Sequence, residues 1–202
     1  LRHELDRRSA VWLTEAVHRR LAEIPETERA KHVVLIQDAF TTFYEPEVVL
    51  ACYDLMLEMG VVPVVVPYFA NGKGLVIKGF LGAFRTLARR NTERLNWIAQ
   101  LGIPIVGIEP AVTLTYRDEY PTLLGAGAVR FRVQLLQDWL EAERARLASL
   151  ARRPAGEHPL LFGHCTERTL VPTSQKVWKR VFEAVGVDLG LASVGCCGMC
   201  GV

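Results

Sequence analysis

The amino-acid sequence predicts an α/β fold with parallel sheets and an additional N-terminal helix. Short β-rich runs alternate with longer helical stretches, an order that is typical of βαβ units. Proline begins and glycine ends a helical stretch at corresponding places in two segments, which matches the conformational preferences of these residues. Half of the 202 residues are hydrophobic, so the chain can bury a substantial core.

The predicted elements follow one another in a regular order. Apolar residues at helical spacing before Pro25, among them Val17, Leu21 and Ile24, predict an amphipathic first helix. β-rich runs predict strands over residues 32–37, 61–66, 103–108, 160–163 and 191–194. Helical stretches cover residues 46–59, 76–101, 121–150 and 172–185. Strands joined by helices in this order favour right-handed crossovers and parallel pairing.

Two segments share one pattern of strand, loop, proline, helix, glycine and strand. Pro46 and Pro172 begin the two helices, and Gly60 and Gly186 end them. We therefore predict two related Rossmann-like βαβ halves. The predicted domains are a helical linker over residues 1–30, a first half-domain over 31–150 and a second over 151–202. We expect the second half to be truncated, because the chain stops directly after a cysteine motif.

The loops of the two halves differ in chemistry but agree in spacing. Asp38 stands in the first half where Cys165 stands in the second, each just past its strand. Phe69 follows Asp38 by 31 positions (69 − 38), and Cys196 follows Cys165 by 31 (196 − 165). Functional sites in such folds lie at the carboxyl ends of strands. The matched spacing thus indicates one site in two versions, with thiols in the second half only.

Composition and charge exclude several classes of function. With 24 basic and 22 acidic residues, the net charge of +2 gives no electrostatic footprint for nucleic acid. The longest apolar run, residues 61–70, is broken by Pro63 and Pro67 and is too short to span a membrane. Four of the five cysteines lie within the last 38 residues, whereas a disulfide scaffold spreads its cysteines along the chain. Cytoplasmic metal chemistry is therefore expected.

The C-terminal cysteines predict an iron–sulfur cluster site, with zinc possible in its place. Cys165, Cys196 and Cys197 are the proposed ligands, and Cys200 adds a C-x-x-C spacing to Cys197. Glycines on either side of the Cys-Cys pair let the backbone approach a cluster closely. We expect His164 to have a supporting or structural role, although a ligand role stays open. Cys52 falls on the inward side of the helix over 46–59, where it is expected to pack in the core.

These motifs resemble the cysteine-rich CCG domain of heterodisulfide reductase subunits and of the iron–sulfur subunits of glycolate and lactate oxidases. That domain has a lone Cys followed at a distance by Cys-Cys-Gly and then by a further Cys pair. Cys165 and the triplet from Cys196 to Gly198 match the first two parts. The downstream pair is absent, unless Cys200 substitutes for part of it.

A closer resemblance is to the C-terminal region of the large bacterial FAD- and iron–sulfur-containing D-2-hydroxyglutarate dehydrogenases. The segments that carry it are DAFTTFYEPEVV, FANGKG with VIKGF, GIEPAVTLTYRDEY, and GHCTERT with SVGCCGMCG. The resemblance implies that an FAD-binding region and a ferredoxin-like region precede this one. It implies oxidation of D-2-hydroxyglutarate to 2-oxoglutarate, with hydride passing to the flavin and electrons passing through clusters to an acceptor. This region would hold an electron-transfer or structural cluster and would not be catalytic alone.

The first half departs from the CCG pattern. Asp38, Tyr68 and Phe69 replace its thiols, and the segment over 113–116 lacks a cysteine that related proteins often carry. We therefore expect one cluster site rather than two. Two other functions stay open from the sequence alone: a structural zinc or thiol module, and a module that docks an electron acceptor.

Polar residues also gather at the predicted strand ends of the first half. They are Lys73, Arg117, Asp118 and Glu119. One interpretation is that they line the interface with the flavin region or the mouth of the cluster site. The alternative is an internal network of salt bridges and helix caps. The sequence does not separate the two.

Overall fold

The structure, a computed structural model, describes residues 15–150, 158–193 and 195. Its contacts divide the chain into two compact units, with the division between Gln134 and Leu135. The predicted boundary lay at residues 150 and 151. The difference arises because the helices that follow Leu135 pack against the long helix of the second unit.

The first unit alternates helices and strands and contains most of the parallel pairing. Its elements are α1 (Glu15–Ala22), a 3₁₀ helix (Glu26–Lys31), β1 (His32–Ile36), α2 (Ala39–Phe43), α3 (Pro46–Glu58), β2 (Val62–Val65), α4 (Lys73–Ile77), α5 (Leu81–Gln100), β3 (Ile105–Gly107), α6 (Pro110–Arg117) and α7 (Glu119–Leu124). The next strand, β4 (Val133–Leu135), spans the division between the units.

A four-stranded sheet forms the centre of the first unit. The strand order is β2-β1-β3-β4, and β1 pairs in parallel with both β2 and β3. Residues Val33, Val34 and Leu35 of β1 are fully buried. A parallel strand covered by helices on both faces has an almost continuous apolar sequence, as β1 does. The predicted α/β fold is confirmed.

The second unit is smaller. Its elements are α8 (Leu136–Ala142), α9 (Arg144–Ala148), β5 (Leu160–Phe162), α10 (Cys165–Leu170), α11 (Ser174–Ala184) and β6 (Gly190–Ala192). β5 and β6 pair in parallel as a two-stranded sheet. α11 packs mainly against α8 and α9.

The β1-to-β2 and β5-to-β6 segments have the same order of elements. Each runs from a strand through a short helix and a longer helix to a parallel strand. His32 pairs with Val62, and Leu160 pairs with Gly190, so both registers join residues 30 positions apart (62 − 32 and 190 − 160). The loops of the two segments therefore leave their strands at equivalent points.

Several details differ from the predicted elements. The helix expected over 76–101 is two helices, α4 and α5, because Gly79 adopts a φ of +74° between them. The stretch over 121–150 is interrupted by β4, whose Val133 is fully buried. The short helices α2, α6 and α10 were not predicted. Within the described part of the chain, no helix combines the length and apolarity needed to cross a membrane.

Candidate functional site

Cys165 occupies the first position of α10, three residues after β5 ends at Phe162. Its side chain is half-buried and forms no disulfide. His164 precedes it as the N-cap residue of α10. The other predicted ligands, Cys196, Cys197 and Cys200, lie outside the described residues. Among the residues that are described, no group of three or more His, Cys, Asp and Glu side chains is arranged to hold a metal ion.

The carboxyl ends of β5 and β6 lie side by side. Phe162 pairs with Ala192, and each is the last residue of its strand. Because the strands are parallel, the chain leaves both of them at the same edge of the sheet. Cys165 follows one strand end by three positions, and Gly195, which precedes Cys196 in the sequence, follows the other by three. The chain therefore leaves β5, just before Cys165, and β6 at one edge of the sheet.

The buried carboxylate of Glu167 connects α10, the helix that begins at Cys165, to two neighbouring helices. Glu167 accepts hydrogen bonds from Gln137 Nε2 and from Ser174 Oγ. Gln137 Nε2 also donates to Ser174 Oγ at 2.7 Å, which closes a triangle among α8, α10 and α11. All three side chains are buried. Burial raises the pKa of Glu167 above its usual range, while the hydrogen bonds from Ser174 and Gln137 and the nearby His164 oppose that rise.

In the first unit, Asp38 takes a structural role at the corresponding strand end. It is the N-cap of α2 and accepts hydrogen bonds from the backbone N–H groups of Phe40 (2.7 Å) and Thr41 (3.1 Å). The Thr41 hydroxyl donates to its second oxygen at 2.5 Å. A capping box of this kind satisfies the exposed backbone donors of a helix. Asp38 therefore serves as a helix cap at this strand end.

Aromatic residues occupy the rest of this edge. Phe69 and Tyr116 have ring centroids 6.4 Å apart, and the rings of Phe43 and Tyr68 meet edge to face at 5.0 Å. Burial raises the pKa of Tyr116 well above its ordinary value, and the charge of Asp38 raises it further. The structure thus brings together Asp38, Tyr68, Phe69 and the segment over 113–116. These are the positions where the sequence indicated lost thiols.

Two charged residues of this edge pair with each other, and a third caps a helix. Lys73 Nζ forms an ion pair with Glu119, and both side chains are about one-fifth exposed. Glu109 accepts a hydrogen bond from the backbone N–H of Val112 at 2.6 Å as the N-cap of α6. For Lys73 and Glu119 the structure therefore supports the internal network, the second of the two interpretations.

A double-mutant cycle on Lys73 and Glu119 should detect this ion pair. We expect a coupling free energy of about 1 kcal/mol, because partial burial strengthens the attraction over that of exposed pairs. The control is the exposed pair of Lys31 and Glu28, at 2.9 Å, for which about 0.3–0.5 kcal/mol is expected. Urea unfolding at low and high salt gives both values. Equal coupling in the two pairs would contradict the structural role.

Two polar networks were not predicted from the sequence. One is the Glu167 triangle. In the other, Asn91 Nδ2 donates to Tyr120 Oη at 3.0 Å, and Tyr120 Oη donates to the Asn71 carbonyl at 2.9 Å. Cys52, by contrast, is buried in α3 as predicted, and burial raises its pKa to about 11. In the sequence, such a network is indicated only by a polar residue at a helical position where the apolar pattern predicts burial.

Curated proteins named D-2-hydroxyglutarate dehydrogenase are similar to this chain over 90% of its length. The protein of Pantoea ananatis (strain AJ13355) is 41% identical over 182 residues. That of Escherichia coli (strain K12) is 39% identical over 183 residues, and that of Pseudomonas putida (strain KT2440) is 41% identical over 184. The chain spans 18% of the length of each of these relatives. No protein-family profile and no solved structure matches it.

Proposed function

We propose that this chain is a cluster-carrying region of an FAD- and iron–sulfur-dependent dehydrogenase that oxidises D-2-hydroxyglutarate to 2-oxoglutarate. The similarity to the curated dehydrogenases over 90% of the chain supports the reaction and the substrate. Because this chain spans 18% of the length of those relatives, we assign flavin binding and hydride transfer to other regions of such a polypeptide. The residues of this chain would serve electron transfer or the structure of the cluster site.

The observation that carries the cluster assignment is the parallel pairing of β5 and β6. Cys165 follows the end of β5, and the adjacent strand, β6, precedes Cys196 and Cys197 in the sequence. Thiolates are the usual ligands of iron–sulfur clusters, and the donor set of Cys165, Cys196, Cys197 and Cys200 fits one. A cluster bound there would accept and release single electrons. The clustering of thiols, rather than their spread along the chain, favours a reducing, cytoplasmic compartment.

The proposed partners are the FAD-binding and ferredoxin-like regions of the same polypeptide and an electron acceptor. Support comes from the β5 strand, where Leu160 and Phe162 are 61% and 66% exposed. Parallel sheets are normally covered on both faces, so an apolar strand this exposed provides surface for such a contact.

Anaerobic reconstitution of the chain with iron and sulfide tests the cluster assignment. We expect bound iron and sulfide with broad visible absorbance in the wild type, and loss of most of both in Cys165→Ser. Cys52→Ala is the matched control, because that thiol is buried in α3 of the first unit. A colourless protein that binds zinc stoichiometrically, or iron content unaffected by Cys165→Ser, would refute the cluster.

A further inference from the structure

α10 is held by a carboxylate rather than by apolar packing. Its single buried residue is Glu167, and the other five residues of the helix are half-buried or exposed. A helix of six residues is too short to be stable by itself and depends on tertiary contacts. Most short helices obtain those contacts from apolar side chains. Here the buried contact is polar, so the position of α10 depends on hydrogen bonds.

We propose that Gln137, Glu167 and Ser174 are positioning residues that fix the Cys165-bearing helix for binding of a metal or cluster. This inference rests on the proposed role of Cys165 as a ligand. Glu167 lies two positions after Cys165 in the same helical turn. Bonds to metal centres tolerate only a few tenths of an ångström of displacement. A small movement of α10 would therefore take the thiol out of bonding range.

The geometry of the triangle suits this role. One carboxylate oxygen of Glu167 receives both donors, and the two donors are themselves linked through Gln137 Nε2 and Ser174 Oγ. Each side chain comes from a different helix, so the three bonds fix α10 relative to α8 and to α11. Hydrogen bonds to a charged acceptor are stronger and more directional than apolar contacts. Breaking a buried set leaves the remaining partners unsatisfied, which makes partial displacement of α10 costly.

The turn before α10 is also closely packed, which limits other positions of the helix. An ideal Cβ on Gly163 would lie 2.9 Å from Gln175 Cδ and 3.2 Å from Arg168 Cδ. The backbone of this turn thus lies directly against side chains of α11 and of α10 itself. The triangle and this turn therefore both connect α10 to α11.

The rate at which Cys165 is alkylated in the metal-free chain reports on the position of α10. Iodoacetamide is the probe, and the modified peptide is quantified by mass spectrometry. We expect Glu167→Ala to raise the rate about tenfold or more, because each lost bond to a charged acceptor favours opening of the helix by such a factor. Ser174→Ala, which removes one donor, should give a smaller increase. Glu183→Ala, an exposed position on α11, is the control and should leave the rate unchanged.

Exchanging the side chains at positions 137 and 167 tests whether the position of α10 or the charge of Glu167 controls the reactivity of Cys165. In the double variant Gln137→Glu with Glu167→Gln, the amide and the carboxylate change places and the negative charge moves to α8. We expect this variant to recover the slow alkylation of Cys165 and, after reconstitution, the iron content that Glu167→Ala loses.

Three outcomes are decisive. Alkylation of Cys165 in Glu167→Ala equal to that in Glu183→Ala would overturn the inference. So would a double variant with wild-type stability towards urea but rapid alkylation, since charge rather than position would then control the thiol. If alkylation responds as expected but no variant, nor the wild type, binds iron, the positioning role stands and the proposed cluster fails.

Discussion

Replacing Gly72 with alanine is expected to destabilise the first unit by about 2–5 kcal/mol. Gly72 has a φ of +93°, a conformation that costs an L-residue about 1–2 kcal/mol. An ideal Cβ would lie 2.5 Å from Phe84 Cδ2 and 2.9 Å from Cε2. Phe84 is buried and its ring meets Tyr120 at 5.5 Å, so it has little room to move. Overpacking of this kind adds about 1–3 kcal/mol.

Substituting two other glycines separates the cost of the positive φ from the cost of overpacking against Phe84. Gly79 has a φ of +74° but open space around its Cβ position, so Gly79→Ala should cost about 1–2 kcal/mol from the backbone alone. Gly82 lies in α5 with open space and no positive φ, and Gly82→Ala should stabilise the protein by about 0.5–1 kcal/mol. Urea unfolding measures all three. Equal costs at Gly72 and Gly79 would show that Phe84 accommodates the added methyl group.

Stability should fall steeply above pH 9 because the first unit buries acidic groups in their neutral form. Burial raises the pKa of Cys52 from 9.0 to about 11. In the unfolded chain this thiol ionises near pH 9, whereas in the folded chain it stays protonated up to about 11. The unfolded state therefore binds fewer protons across this window, and stability decreases with rising pH. Cys52 alone accounts for about 3 kcal/mol lost between pH 9 and 11.

Two buried tyrosines extend the same effect above pH 10. Burial raises the pKa values of both Tyr116 and Tyr120 above the ordinary value of 10.0. The sign is the same as for Cys52, because each phenol stays neutral in the folded state and ionises in the unfolded one. Stability should therefore continue to fall beyond pH 11.

Urea unfolding between pH 8 and 11.5 measures this dependence. Cys52→Ala should flatten the curve between pH 9 and 11 and leave the fall at higher pH in place. Tyr120→Phe should reduce only the steeper part above pH 10. A curve for Cys52→Ala parallel to that of the wild type would show that Cys52 ionises in the folded protein as it does in the unfolded one.

The strands were predictable because their burial is encoded locally. An apolar run such as Val33 to Ile36 indicates a strand covered on both faces, and Gly60 and Gly186, with φ of +73° and +80°, mark the ends of helices in both units. β4 was missed because its buried residues, Val133 and Leu135, lie in a stretch where apolar residues alternate with arginine and glutamine and which also has helical propensity. Tertiary packing decides between the two states in such a stretch.

The candidate site was predictable only in part, for the same reason. Cys165 was placed at a strand end by the spacing of the elements around it. Glu167 was not recognised, because a glutamate in a short helix ordinarily faces solvent. Its burial depends on Gln137, which lies 30 positions earlier in the chain. Lys73 and Glu119 lie 46 positions apart, so local sequence patterns do not predict their pairing either.

The parallel pairing described for both units affects how fast the chain can fold. The paired residues of β1 and β2, and those of β5 and β6, lie 30 positions apart in the sequence, and Val34 pairs with Ile105 across 71 (105 − 34). The chain must order an entire crossover before the first of these bonds forms, so the entropy of loop closure is lost in advance. Folding rates fall as contacting residues become more distant in sequence. Both sheets therefore belong to the slow-forming class, and the helices are expected to order before the strands that they connect.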